Sequence, residues 1–338
     1  MADTAIPQID IAAARRGDAA AVRVAAAAID AACTDTGFFT IVGHGVPADL
    51  IAETRGRAVE FFALPTEEKL KVERPPQKIS RGYNRIGDRS LAYSLGVAAP
   101  PDIQEAFAFG PDDTSEADWR AGDVAAAMLA RNLWPDRPAG FRAAMNAWYG
   151  AMSGLGRTVL GLMARALAVP DGFFADKFDR EASVSRIIRY PALTAPPAPG
   201  QLRAGVHTDY GTITFVRGDD TAGGLQVKAR NGGWIDVHIA PDALVCNIGD
   251  AMMRWTNDRW VSTLHRVAVP PEDANAPDRI SLVFFQLPNH DAEIRCFDSC
   301  VGDGAKYPPV TYAEHYLGKV MKAAHARLDA GVGDAAAG

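Results

Sequence analysis

Cysteine is scarce in this sequence. Four thiols, Cys33, Cys246, Cys296 and Cys300, scattered over 338 residues are too few for a disulfide framework. Cys296 and Cys300 lack the second close pair of a structural zinc site, so both read as reduced thiols. No block of Lys or Arg occurs and the formal net charge is -6, which removes the electrostatic footprint of a nucleic-acid binder. No apolar run approaches a membrane span, since the Ala-rich stretch 19–32 is broken by Arg23 and Asp30. The first ten residues hold two Asp and no basic segment, unlike a signal peptide. No internal repeat is present, and Gly331-x-Gly333 follows no strand, so it is no dinucleotide loop. These absences predict a cytoplasmic protein with no nucleic-acid or membrane partner. They assign no oligomeric state.

What is present suits a soluble globular protein. Hydrophobic content of 48% and charged content of 22% are ordinary, and the length serves one large domain or two smaller ones. Residues 6–11 read as an edge strand with Pro7 near its start. An Ala-rich helix follows over 18–35, then a strand over 37–43 that ends at His44-Gly45. His44 lies far from other candidate ligands and reads as a structural hydrogen-bonding residue. Pro47 opens a helix whose apolar side includes Leu50, Ile51, Ala58 and Phe61-Phe62, and Thr66 is a candidate cap for a further turn. From Arg74 to Asp123 the chain is irregular apart from a strand near 106–110. Residues 138–168 carry apolar side chains three or four apart, as one amphipathic helix or two in succession. From 183 onward short strands alternate with Gly, Asp, Asn and Pro, the texture of an antiparallel sandwich or barrel. A last helix over 311–328 presents Tyr312, Tyr316, Val320 and Ala324 on one side, and the tail 331–338 reads as disordered.

Chemistry concentrates between Arg203 and Leu287. The segment holds His207-Thr208-Asp209, then His265, then Arg279-Ile280-Ser281, each within a short apolar run. Side chains two apart on a strand project to one face, so His207 and Asp209 point together, as do Arg279 and Ser281. Two imidazoles and one carboxylate are the facial triad that holds non-heme Fe(II) with coordination positions open. With seven His in the chain a lone His-x-Asp arises readily by chance; the ordered set carries the reading.

These residues resemble the isopenicillin N synthase-like family of Fe(II)-dependent oxygenases, most of which use 2-oxoglutarate. The similarity covers nearly the whole chain. It runs through Thr36-Gly-Phe-Phe-Thr-Ile-Val-Gly-His-Gly-Val46, Phe61-Phe62-Ala-Leu-Pro65, Arg189-Tyr-Pro191, His207-Thr-Asp209, Gly223-Gly-Leu-Gln226, Asn247-Ile-Gly-Asp250, Ser262-Thr-Leu-His-Arg-Val267 and Arg279-Ile-Ser281. The resemblance implies an α+β fold with a double-stranded β-helix, or jelly roll, packed on helices. It implies a leader region at 1–125, support helices at 126–180, a catalytic domain at 181–300 and a C-terminal helix at 301–330. His207, Asp209 and His265 would bind iron, while Arg279, Ser281 and Tyr190 would hold the far carboxylate of 2-oxoglutarate, with O2 as second cosubstrate. A planar carboxylate calls for a bidentate donor, which Arg supplies better than Lys.

Alternation along the last strand puts Arg279, Ser281, Val283, Phe285 and Leu287 on one face, so Phe285 and Leu287 should line the pocket. Tyr210 and Tyr83 are further candidates for substrate contact. Two departures from the family pattern stand out. Ile188 replaces an Asn common two residues before the tyrosine, and the loop 270–278 lengthens the spacing from His265 to Arg279.

The implied activity is oxidation, with hydroxylation the default outcome, of a small organic substrate, with succinate and CO2 released. Desaturation or ring formation is open to the same site. Competing readings are a 2-oxoglutarate-independent Fe(II) oxidase and a non-catalytic jelly-roll binding protein. A zinc hydrolase lacks its His-Glu-x-x-His helix.

Overall fold

The computed structural model describes residues 6–75, 81–88, 90–112, 128–219, 224–271 and 276–329, with side chains to residue 322 in the final helix. Parts of the irregular segment 74–123, Gly223, residues 272–275 of the long loop and the tail 331–338 lie outside the described residues.

Strand β1 (Gln8–Asp10) runs parallel to β2 (Phe38–Val42), with helices α1 (Ala12–Arg15) and α2 (Ala19–Asp35) between them. Asp18 accepts hydrogen bonds from the Ala20 and Ala21 amides and so caps α2, an interaction worth about 1 kcal/mol. Pro47 stands immediately before α3 (Ala48–Phe62). Thr66 does not cap α4 (Thr66–Leu70). It is the first helical residue, and the preceding Pro65 takes the cap position with no side-chain bond. Two short strands follow, β3 (Gly82–Asn84) and β4 (Glu105–Phe109).

The periodic stretch after them is one continuous helix, α5 (Phe141–Ala166). Its apolar stripe, including Met145, Trp148, Met152 and Val159, is fully buried. At Gly156 the helix lies so close to the sheet that a Cβ would fall 1.7 Å from Gln286 Oε1.

The remaining strands are β5 (Val184–Tyr190), β6 (Ala204–His207), β7 (Ile213–Gly218), β8 (Leu225–Lys228), β9 (Trp234–Asp236) and β10 (Leu244–Ile248). After the short helix α6 (Asp250–Trp255) come β11 (His265–Val267), β12 (Arg279–Gln286) and a small pair, β13 (Glu293–Ile294) and β14 (Val310–Thr311). Helix α7 (Tyr312–Asp329) closes the described chain.

Two sheets face each other. The larger has eight strands in the order β1-β2-β10-β7-β12-β5-β4-β3, and the smaller has four, β6-β11-β8-β9. Within both, every pairing other than β1 with β2 is antiparallel. The fold is therefore the expected α+β jelly roll. The large sheet is buried on both faces. Phe39, Ile41, Phe215, Cys246 and Phe284 pack outward into the cluster that includes α2 and α5. Phe38 and Val245 turn inward against Leu225 and Val227 of the small sheet. Burial on two sides explains why these strands read as continuous apolar runs. The space left between the sheets holds the site.

Candidate active site

The small sheet brings the two imidazoles together through strand pairing. His207 ends β6, His265 begins β11, and the two are direct register partners with ring centroids 4.2 Å apart. Asp209 lies just beyond the end of β6 rather than on it, in a segment where the Asp250 amide donates to the Asp209 carbonyl. The alternation argument thus selects the correct pair, although the strand itself stops two residues earlier.

Each of the three side chains has one polar atom occupied by the protein. His207 Nδ1 lies 2.7 Å from the Gly205 carbonyl, and His265 Nδ1 lies 3.0 Å from that of Thr263. Those contacts fix both Nδ1 atoms as donors and leave both Nε2 atoms as acceptors. Asp209 Oδ2 accepts from the Thr214 hydroxyl at 2.6 Å and from the Asn247 amide at 2.7 Å. The free oxygen, Oδ1, stands 3.9 Å from each Nε2. The three free atoms lie within 4.8 Å of one another, a donor set that fits a divalent metal. Burial, and then the neighbouring His265, press the His207 pKa down to about 4, so the ring is neutral near pH 7. Burial opposes ionisation of Asp209, but the two imidazoles and its two hydrogen bonds hold its pKa below the ordinary value.

A cavity of about 470 Å³ adjoins the triad. Arg279, Ser281, Val283, Phe285 and Leu287, the predicted face of β12, all line it, as do Tyr190 and Tyr210. Arg279 pairs in register with Tyr190, and both are buried with Ser281. Burial pushes the Tyr190 hydroxyl up to about 12, so it remains a donor. Gly218 of β7 faces this group, and a Cβ there would come within 2.8 Å of Arg279 Nη2. Buried Arg203 has its pKa lowered by burial and then by repulsion from Arg279. Two neighbouring guanidiniums form a positive pole suited to a carboxylate.

Tyr83 does not belong to this group. Its neighbour Asn84 faces the cavity, so Tyr83 points the other way and donates to Glu105 Oε2 at 2.5 Å. Glu105 also takes Lys69 at 2.8 Å and Arg189 at 2.6 Å, a buried structural cluster. Ile188 lines the cavity opposite Ser281. His44 is structural as expected: it accepts from the Val46 amide and stands 3.1 Å from the Asp242 carbonyl. Sequence reasoning missed the bracing of Asp209 by Thr214 and Asn247, and the cavity residues Arg186, Asn84 and Gln104. The signal for Arg186 was its parity with Tyr190 along β5.

Comparison with known proteins agrees with this geometry. The family described as non-haem dioxygenase in morphine synthesis N-terminal matches residues 6–137, and the 2OG-Fe(II) oxygenase superfamily matches residues 182–288. A homoarginine-6-hydroxylase from Oryza sativa is 35% identical over 301 residues, covering 87% of each chain. The chain belongs to the 2OG-Fe(II) oxygenase superfamily. A proline hydroxylase from Petromyces alliaceus is 34% identical, covering 82% of this oxygenase and 86% of its own length. A full-length Neurospora crassa protein, solved with alpha-KG and thymine, superposes with a TM-score of 0.82 at 28% identity, covering 96% and 98% of the two chains. This oxygenase is thus a hydroxylating enzyme that uses Fe(II), 2-oxoglutarate and O2. Among its described residues no helix is long and apolar enough to cross a membrane.

Proposed function

We propose that His207, Asp209 and His265 are the iron ligands, that Arg279, Ser281 and Tyr190 receive the far carboxylate of 2-oxoglutarate, and that Phe285, Leu287 and Tyr210 shape the space for a small organic substrate. The observation that carries the reading is the occupation of both Nδ1 atoms and of Asp209 Oδ2, which leaves three atoms converging on one point. Bound iron with 2-oxoglutarate and O2 supplies the oxidising power, and hydroxylation of a C–H bond is the outcome. The protein's part is to orient the cosubstrate through Arg279, to keep the His207 imidazole neutral, and to surround the C–H with apolar side chains that exclude water. In this reading residues 1–125 serve as the leader, 126–180 as support, 181–300 as the catalytic domain and 301–330 as the closing helix. The relatives named for homoarginine and proline favour an amino-acid-like substrate. Four free cysteines suit a reducing, cytoplasmic setting.

The test is an anaerobic titration of the apoprotein with Fe(II) and then 2-oxoglutarate, watching for the visible charge-transfer band of a chelated 2-oxo acid. Wild type should develop the band. His207→Ala should bind no Fe(II) while its circular dichroism is unchanged. Iron binding without a band in wild type would sink the cosubstrate assignment, and iron binding by His207→Ala would sink the ligand set.

A further inference from the structure

Strand β5 carries a charge that the cosubstrate reading leaves unused. Arg186 shares the inward face with Val184, Ile188 and Tyr190 and lines the cavity. Its Nε is buried with no hydrogen-bond partner, and among the described residues no carboxylate stands within ion-pair reach of it. Asp102 attracts it, but that carboxylate is engaged by the Leu91 and Gly205 amides and by Gln104. A second cation, Arg74, lines the same cavity and repels it. A half-buried guanidinium whose Nε is shut away from solvent with no partner costs stability, so its place in a cavity wall points to a ligand. The position is separate from the cosubstrate pole. Arg186 pairs with Val283, four residues along from the Tyr190–Arg279 pair, or roughly 13 Å at strand spacing.

An unsatisfied acceptor borders the same place. Asn84 Nδ2 donates to the Gly82 carbonyl at 3.3 Å, while Oδ1 is buried with no partner. Between Asn84 and Arg186 the intervening strand offers only Ala106 and Ala108, so nothing bulky separates them. Asn84, Gln104 and Arg186 all line the main cavity, and together with Arg85 and Ala106 they bound a small crevice of about 10 Å³ beside it. One donor and one acceptor, side by side and both unpartnered, call for a ligand that carries an anion next to an N–H group. A 2-amino acid has both on one carbon.

We propose that the primary substrate is a small amino acid whose carboxylate is held by Arg186 and whose amino group donates to Asn84 Oδ1, leaving its side chain toward the metal. The proposal rests on the iron and 2-oxoglutarate reading above.

The test presents the Fe(II)- and 2-oxoglutarate-loaded enzyme, in air, with the proteinogenic L-amino acids and longer basic homologues, each beside its carboxamide. Succinate release above the substrate-free rate is the readout. One or more acids should be turned over, with the matching carboxamide lower in kcat/KM by about 100-fold or more. Arg186→Gln should lose a similar factor for that acid and discriminate little between acid and amide, and Arg186→Lys should fall between. A carboxamide used as well as its acid overturns the proposal. So does silence of every acid while the 2-oxoglutarate band forms normally. A missing band in wild type overturns the underlying reading and the proposal with it. A second measurement needs no substrate: apo Arg186→Gln should melt at or above wild type, because a half-buried charge with an unpartnered Nε has been removed. A melting point several degrees lower would show that Arg186 serves the fold, and would equally overturn the proposal.

Discussion

Each side chain of the proposed iron triad is held by its far atom, and that is where the precision of the site originates. Asn247 and Thr214 fix Asp209 Oδ2 so that Oδ1 alone is presented. Asn247→Ala should therefore weaken Fe(II) binding by about 10–100-fold without unfolding the protein, measured by metal titration beside circular dichroism. Arg279→Ala should raise the 2-oxoglutarate concentration needed for the charge-transfer band by roughly 100-fold, because a buried carboxylate contact is lost. Equal loss of iron binding in that variant would mean general damage instead. Tyr83→Phe should leave the KM for both substrates unchanged and cost about 1.5–3 kcal/mol, the value of a buried bond to a charged group, read from denaturant unfolding. His207, Asp209, His265, Arg279 and Ser281 are legible in the sequence because they sit in short motifs of fixed spacing. Thr214 and Asn247 are not, because their role depends on which strands lie beside Asp209 across the sandwich. Tyr83 misleads for a related reason: a three-residue strand does not reveal which of its faces meets the cavity.

At the scale of elements, helix α7 closes one side of the cavity, with Tyr316 and Val320 in its wall and Tyr316 set against Tyr210 at 6.1 Å between ring centroids. The helix and its Tyr-rich side were readable from periodicity, but not the surface it covers. His315 sits on the same helix. Burial, with further lowering from Lys319 and Arg254, takes its pKa down to about 4 from 6.5. As pH falls below 6.5 the unfolded chain takes up this proton first, so folding stability declines between pH 6.5 and about 4 and the contribution is complete above that window. His315→Leu should flatten that limb of a thermal-midpoint versus pH curve. An unchanged slope in the variant would show that the acid loss originates elsewhere. Helix α5 was legible to within three residues at each end, since a strictly periodic stripe of large apolar side chains leaves little choice.

For the molecule as a whole, the N-terminal strands β1 and β2 share one sheet with strands of the jelly roll. Strand β2 pairs with β10, and Phe38 of β2 packs edge-on against His265 with ring centroids 5.4 Å apart. Spacing and composition alone cannot reveal this, because the partners are far apart in the chain and each is only an apolar run. Residues 181–338 expressed alone should be largely insoluble, since β10 would present Leu244 to Asn247 as an open apolar edge. Sedimentation of the expressed fragment checks this, and a soluble, monomeric fragment would contradict it.

The pairing of Phe38 with Asn247 also has a consequence in time. A ribosome releases β2 about 200 residues before its partner exists, a delay on the order of 10–40 s at ordinary synthesis rates. Throughout that interval a ribbon of Phe, Phe, Ile and Val has only β1 beside it, so the nascent chain is an early client for chaperones and the catalytic sheet is completed only late in translation.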